Sequence, residues 1–230
     1  MGYLAVIPAR GGSKRIPRKN VKDFNGKPLI SYAIKAALGS GIFDRVVVST
    51  DDEDIAAIAK EYGAEVPFLR DKKLADDYTG TFDVMADAYE RLKATGQKFD
   101  GVCCIYATAP LLLPKHLVMA LEKLKSSKAQ SLTSVCEFSF PIQRAFVLDE
   151  DGLLKYREPE FAPCRSQDLP KCYQDCGLFY FYTVDFMTGK NKTRALAFPM
   201  PRHRVIDIDT MEDWDYACAM SKAVSELNLE

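Results

Sequence analysis

Short β-branched runs alternate with helical periodicities along most of this chain, and that alternation leaves few folds open. Residues 3–8 read as a buried strand. After a loop, Ile30, Ile34, Ala37 and Leu38 share one helical face that Gly39 and Gly41 end. Residues 45–50 form a second strand run, after which Asp51 or Asp52 can cap a helix burying Ile55, Ile58 and Ala59 and stopping at Gly63. Phe82, Met85, Ala86, Tyr89 and Leu92 make a third face, ended by Gly96 and followed by a strand over 101–106. Pro114 suits the first turn of a helix that buries Leu117, Ala120, Leu121 and Leu124, and residues 131–137 read as another strand. Four such units predict an α/β domain of three layers, with a mostly parallel twisted sheet between helices.

The rhythm breaks over 138–176, where Pro141, Pro159, Pro163 and Pro170 punctuate two short strand-like pieces, 145–148 and 153–157. A segment that long without regular structure inside a compact domain is usually functional, so it is expected to be an inserted lid or oligomer contact. Core patterning resumes at 177–184, 195–199 and 204–208. Thr210 and Asp213 then resemble a capping box for a last helix, on which Trp214, Ala217, Cys218 and Ser221 share a face.

At 230 residues the chain can bury one core, and a single domain over 1–230 is expected. Lys+Arg (31) nearly balance Asp+Glu (32), so no face for duplex nucleic acid is expected and any attraction for anions must come from local clustering. The apolar stretches 101–114 and 177–184 fall short of a membrane span. The opening stretch 2–8 is too short for an export signal, and Val6 stands where a myristoylation signal needs Ser or Thr; a cytoplasmic, membrane-free protein is expected. Seven cysteines without a secretory signal favour reduced thiols over disulfides. Cys164, Cys172 and Cys176 lack the paired spacing of a zinc site and read as plain thiols.

The cation cluster lies directly after the first strand, in Pro8-Ala9-Arg10-Gly11-Gly12-Ser13-Lys14-Arg15-Ile16-Pro17-Arg18-Lys19-Asn20. Open α/β sheets bind ligands at the carboxyl ends of their strands. Two glycines allow close backbone approach to phosphate, and Arg10, Lys14, Arg15, Arg18 and Lys19 supply up to five positive charges. The spacing is neither a Walker A loop nor a Gly-x-Gly-x-x-Gly fingerprint, which sets aside the usual kinase and dehydrogenase readings. A solvated basic loop is the plain alternative. Near the other end, Asp207 and Asp209 lie two apart in an alternating run, placing both carboxylates on one face of a strand and Ile206 and Ile208 on the other. Such a pair suits a hard cation such as Mg²⁺ that also holds substrate phosphates. An exposed edge strand would show the same pattern.

The string 7–20 resembles the nucleotide-binding signature of the acylneuraminate cytidylyltransferase family, Ala-Arg-Gly-Gly-Ser-Lys followed by a Lys-Asn pair, and Asp-Ile-Asp-Thr at 207–210 is similar to that family's metal motif. The resemblance implies a Rossmann-like nucleotidyltransferase fold with CTP and an acidic nine-carbon sugar as substrates, Mg²⁺ as cofactor and a homodimer formed through the excursion. It further implies that Ala9, Arg10, Gly11, Gly12, Ser13, Lys14 and Asn20 hold the nucleotide, and that Arg70 and Thr81 line its pocket. Lys19, Arg10 and Asp209 would be the catalytic residues, Lys19 stabilising the charge that develops at the α-phosphate, and Asp207 and Asp209 would hold the metal.

Tyr106-Ala107-Thr108-Ala109-Pro110 stands where neuraminate-activating relatives usually carry Gln-Pro-Thr-Ser-Pro, which changes the hydrogen-bonding set offered to the sugar. The strings around Gln143-Arg144, Arg165 and Asp175 resemble the pseudaminic acid branch, although Ala107, Gln174, Cys176 and Leu178 depart from its usual residues. By that resemblance Tyr106, Thr108, Gln143, Arg144, Arg165 and Asp175 are sugar-binding candidates, the arginines as bidentate partners of the sugar carboxylate. The alternatives are the same chemistry on N-acetylneuraminic, legionaminic or 3-deoxy-manno-octulosonic acid, and a non-catalytic nucleotide-binding protein on the same fold.

Overall fold

A computed structural model describes residues 2–76, 78–189 and 194–229. In chain order its elements are β1 (Tyr3–Pro8), β2 (Asp23–Phe24), β3 (Lys27–Pro28), α1 (Ile30–Ser40), β4 (Phe43–Ser49), α2 (Glu53–Glu61), α3 (Thr81–Ala94), β5 (Gly101–Ile105), α4 (Pro114–Lys125) and β6 (Ser131–Glu137). They continue with β7 (Phe146–Leu148), β8 (Leu154–Tyr156), β9 (Tyr173–Thr183), α5 (Val184–Met187), β10 (Leu196–Pro199) and α6 (Met211–Glu226). The main sheet has six strands in the order β10-β6-β9-β5-β1-β4. β1 pairs in parallel with β4 and β5, and β10 with β6, whereas β9 runs antiparallel to both β5 and β6.

Apolar residues of α1, α2 and α4 pack on one face of this sheet, and Met85, Ala88, Tyr89 and Leu92 of α3 pack on the other, which gives the expected three layers. The local signals act as the sequence predicts. Asp52 caps α2 by accepting from the Ile55 N–H at 3.0 Å, and Gly41 ends α1 with φ +66°, a left-handed conformation that costs glycine nothing. Thr210 and Asp213 form a reciprocal capping box at α6.

Two expectations need correcting. The segment carrying Asp207 and Asp209 is not a strand. It is extended chain following a short 3₁₀ turn at Arg202–Arg204, and its alternation comes from a third apolar cluster, not from a ladder. Ile206 and Ile208 enter that cluster beside Ile16 of the cationic loop, Phe24, Leu29 and Trp214, with the Phe24 and Trp214 rings edge to face at 5.6 Å. Burying an isoleucine contributes about 1.5–3 kcal/mol, which outweighs the cost of about 1–2 kcal/mol for fixing one residue of backbone. The irregular excursion also ends earlier than expected, because β9 already begins at Tyr173.

Candidate active site

The carboxyl ends of β1 and β5, the connection between α2 and α3 and the start of α3 surround a cleft of about 380 Å³ lined by Pro8, Arg10, Arg15, Asn20, Arg70, Leu74, Asp76, Thr79, Thr81, Val84, Tyr106, Ala107 and Thr108. Of the expected site residues, Arg10, Asn20, Arg70, Thr81, Tyr106 and Thr108 therefore lie together in one wall. Asn20 is buried and donates to the Arg10 carbonyl at 3.1 Å, which fixes the turn of the loop that carries Arg10. The Arg10 guanidinium donates to the Asp76 carbonyl at 2.7 Å.

Arg70 is buried, 6% exposed, and its Nε and one Nη have no hydrogen-bond partner. Its nearest carboxylate, Asp51, lies 3.7 Å away. Burial lowers its pKa, Asp51 opposes that shift, and Arg10 adds to it, so two guanidinium groups share one wall. An under-partnered buried cation beside another cation is costly in an empty protein and favourable once an anion enters.

The glycine-rich loop differs in detail from a phosphate cradle of free amides. Gly11 donates its N–H to Asp51 at 3.1 Å, and the Ser13 N–H goes back to the Gly11 carbonyl at 3.0 Å. Gly11 is required for a local reason: a Cβ there would meet Asp52 Oδ2 at 2.5 Å. A Cβ on Gly12 would meet nothing within 4 Å, so Gly12 leaves open space where the loop faces outward. Ala9 is buried and pairs its N–H with Ser49 at 2.9 Å, which continues the β1–β4 ladder by one residue.

Arg18 is not a phosphate-facing cation. Held at φ +57°, it pairs with Asp52 and, at 2.9 Å, with Asp54, pinning the loop to the first turn of α2.

Lys19 and Asp209 meet. Lys19 Nζ donates to the Ile208 carbonyl at 2.5 Å and lies 3.5 Å from Asp209 Oδ1, while Arg15 pairs with the same carboxylate oxygen at 2.8 Å. Residues 190 positions apart are joined because Ile16 and Ile208 share the third apolar cluster; of the charged residues around them only Arg15 lines the cleft, and Lys19, Asp207 and Asp209 lie beside it, joined to it through Arg15. Partial burial raises the pKa of Asp207, Asp209 raises it further, and Lys19 opposes both.

A second recess of about 250 Å³ adjoins the cleft through Thr81 and Tyr106 and adds Phe82, Met85, Cys104, Asp175, Tyr180 and Tyr182. Tyr106 and Thr81 hydroxyls lie 3.2 Å apart, and Tyr180 donates to Asp175 Oδ1 at 2.7 Å. β9 carries an irregularity here: Gly177 takes φ +58°, the register against β6 shifts, and Ser134 Oγ accepts the Phe179 N–H at 3.1 Å. Bulges of this kind re-aim side chains next to sites, and this one presents Asp175 beside Tyr180.

Gln143, Arg144 and Arg165 are not brought to this place. Among the described residues they line neither the cleft nor the recess: Gln143 donates to the Pro170 carbonyl at 3.1 Å, Arg144 to Ser166 at 3.2 Å, and Arg165 pairs with Asp168 at 2.8 Å, all within the excursion. The sequence reading missed Asp51, Asp76 and Tyr180. Only Asp76 carried a signal, the Asp-x-x-Thr-Gly pattern of a side-chain-capped turn, and its Oδ1 does accept from the Tyr78 and Thr79 N–H groups.

Comparison with known proteins places the chain in a family. The model of the cytidylyltransferase family matches residues 4–211. A pseudaminic acid cytidylyltransferase of Campylobacter jejuni is 48% identical over 98% of this chain and 99% of its own length. A CMP-N,N'-diacetyllegionaminic acid synthase of Legionella pneumophila is 35% identical over 100% of this chain and 99% of its own. A solved CMP:2-keto-3-deoxy-manno-octonic acid synthetase in complex with CTP shares the fold at TM-score 0.71 and 18% identity, covering 97% of this chain and 99% of that one. The chain belongs to the acylneuraminate cytidylyltransferase family, and within it groups with the pseudaminic acid cytidylyltransferases.

Proposed function

We propose that the protein transfers CMP from CTP to the anomeric hydroxyl of pseudaminic acid, giving CMP-pseudaminic acid and pyrophosphate. The observation that carries the chemistry is the meeting of Lys19 and Asp209, 3.5 Å apart, at the rim of a cleft walled by Arg10 and Arg70. The high identity to pseudaminic acid cytidylyltransferases along nearly the whole chain carries the choice of acceptor.

The anomeric oxygen attacks the α-phosphorus in line, the bond to the bridging oxygen breaks, and pyrophosphate leaves with its electrons. Such transfers gain mostly from orientation and from cations placed where charge develops, so no protein nucleophile is required. Arg10 and Arg70 hold phosphate oxygens against the cleft wall. Lys19, fixed by the Ile208 carbonyl, sits where it can offset charge at the α-phosphate. Tyr106 and Asp175 orient the sugar from the adjoining recess.

Asp207 and Asp209 fit a divalent cation by the chemistry of their donors: two hard carboxylates whose mutual repulsion raises the pKa of Asp207 beyond the effect of burial. These two residues would hold Mg²⁺, which when bound offsets phosphate charge and acidifies the attacking hydroxyl. The enzyme is proposed to work in the cytoplasm as a homodimer. The exposed apolar side chains of the excursion support a partner there, and Gln143, Arg144 and Arg165 lie on that same excursion, engaged with its own residues.

The test is pyrophosphate release from CTP or UTP, with Mg²⁺, across pseudaminic, legionaminic, N-acetylneuraminic and 3-deoxy-manno-octulosonic acids. Fastest release with CTP and pseudaminic acid is expected. A different preferred acid changes the acceptor and keeps the chemistry, whereas no release with any acid would leave a non-catalytic nucleotide-binding protein.

A further inference from the structure

The carboxylate that the proposed cation needs is already engaged. Asp209 Oδ1 is 2.8 Å from Arg15 Nη2 and 3.5 Å from Lys19 Nζ. The two cations are held very differently. Lys19 is 17% exposed and tethered to the Ile208 carbonyl, so it is part of the site's frame. Arg15 is 67% exposed on a long flexible side chain. An ion pair between exposed groups is weak, because water solvates both partners and the pairing costs side-chain entropy. Arg15 is therefore an exchangeable partner for Asp209, and Lys19 is a permanent one.

Arg15 also lines the wall of the nucleotide cleft beside Arg10 and Arg70, although it pairs with the acidic segment outside that wall. Its guanidinium thus lies between two anionic destinations: the carboxylate of Asp209 and whatever phosphate enters the cleft. A divalent cation arriving at Asp209 brings twice the charge of a guanidinium to a compact carboxylate, and a triphosphate offers the guanidinium a planar, bidentate alternative. Each arrival removes the obstacle to the other.

We propose that Arg15 is an exchangeable counter-ion that occupies Asp209 in the nucleotide-free protein and moves onto the triphosphate when the divalent cation binds, so that metal and nucleotide load together. The proposal rests on the reading of Asp207 and Asp209 as the metal-holding pair. It gives the protein a reason to bind metal poorly without nucleotide: the acidic pair is partly neutralised internally, and the coupling between the two ligands is reciprocal.

The test is binding, without turnover. Mn²⁺ titrated into nucleotide-free protein and followed by the paramagnetic signal of the free ion should bind about 3–10-fold more tightly to Arg15→Gln than to the unaltered protein, as expected for removing one competing surface ion pair. Metal-free CTP measured by calorimetry should bind Arg15→Gln more weakly, with Arg15→Lys between the two. A merely structural arginine would not tighten metal binding on removal, and thermal melting of each variant checks that the fold is kept. Mn²⁺ binding to Arg15→Gln no tighter than to the unaltered protein, or detectable in neither, overturns the exchange. Asp209→Asn in the Arg15→Gln background separates the two layers: it should abolish the gain, and Mn²⁺ binding that persists unchanged would show instead that the acidic pair is not the metal site.

Discussion

The cleft at the carboxyl edge of the sheet and the excursion between β6 and β9 are built in opposite ways. Around the cleft, the functional side chains grow from buried anchors. Arg15 precedes the buried Ile16 and Lys19 the buried Asn20, Asp207 and Asp209 alternate with the buried Ile206 and Ile208, and Arg10 is held by the buried Asn20. In the excursion the apolar side chains point outward. Phe140 is 82% exposed, Leu148 and Leu154 are nearly 70% exposed, and the β7–β8 hairpin pairs only with itself. A lone two-stranded hairpin is marginal in water. The chain's own core therefore fixes the nucleotide side of the site, whereas the excursion takes little from that core and has apolar surface left to give to a partner.

The largest effect that could break this contrast is at Asp209. Asp209→Asn should lower kcat by about 10³-fold or more while the melting temperature changes little, since the side chain supports no buried contact. Pyrophosphate release near the unaltered rate would defeat the metal assignment. Lys19→Ala comes next, expected to lower kcat by about 10²-fold with a smaller change in CTP affinity; a change confined to KM would make Lys19 a binding group only.

Acid should act on the ordered side of the molecule through His116. This histidine is buried on the first turn of α4, and its Nδ1 accepts the Leu113 N–H at 3.2 Å. Burial, with Arg204, Lys115 and His203 nearby, lowers its pKa from 6.5 to about 4. The folded value lies below the unfolded one, so this stabilisation is fully present above about pH 6.5 and is lost as pH falls toward 4, by up to about 3 kcal/mol. Urea denaturation at pH 7 and pH 4.5 on the unaltered chain and on His116→Gln measures it; an equal pH response in both would remove His116 as the cause.

The smallest effect on stability is expected in the excursion. Leu154→Glu should change the unfolding free energy of the single chain by less than about 0.5 kcal/mol, as surface substitutions do, yet weaken self-association in sedimentation experiments. Unfolding of the variant would show that the excursion belongs to the core after all.

Much of this was legible in the residues. The strand and helix periods located nearly every core element, because burial of one face imposes a period of 2 or 3.6 wherever the chain runs long enough to show it. The loop after β1 announced its chemistry by charge density and glycines. Other features left no local trace. Arg18 reads like its neighbours in sequence, and only folding turns it onto Asp52 and Asp54. Asp51 and Tyr180 sit in ordinary strand or cap contexts and become part of the site through contacts with Gly11, Arg70 and Asp175. The alternation at 204–208 was read as a ladder because an extended segment packing one face on a core produces the same pattern without any paired strand.

By itself the sequence determined the layers, the cationic turn, the acidic pair and the family to which they belong, since each is written in residues close together in the chain. Tertiary structure decided which cations face the cleft, that Arg15 and Lys19 share one oxygen of Asp209, and that the excursion keeps its arginines apart from the cleft. The physical reason is range: periodicity and capping act within a few residues, whereas the burial of Ile16 and Ile208 in one apolar cluster, which brings the two charged segments together, is settled only by how the whole core closes.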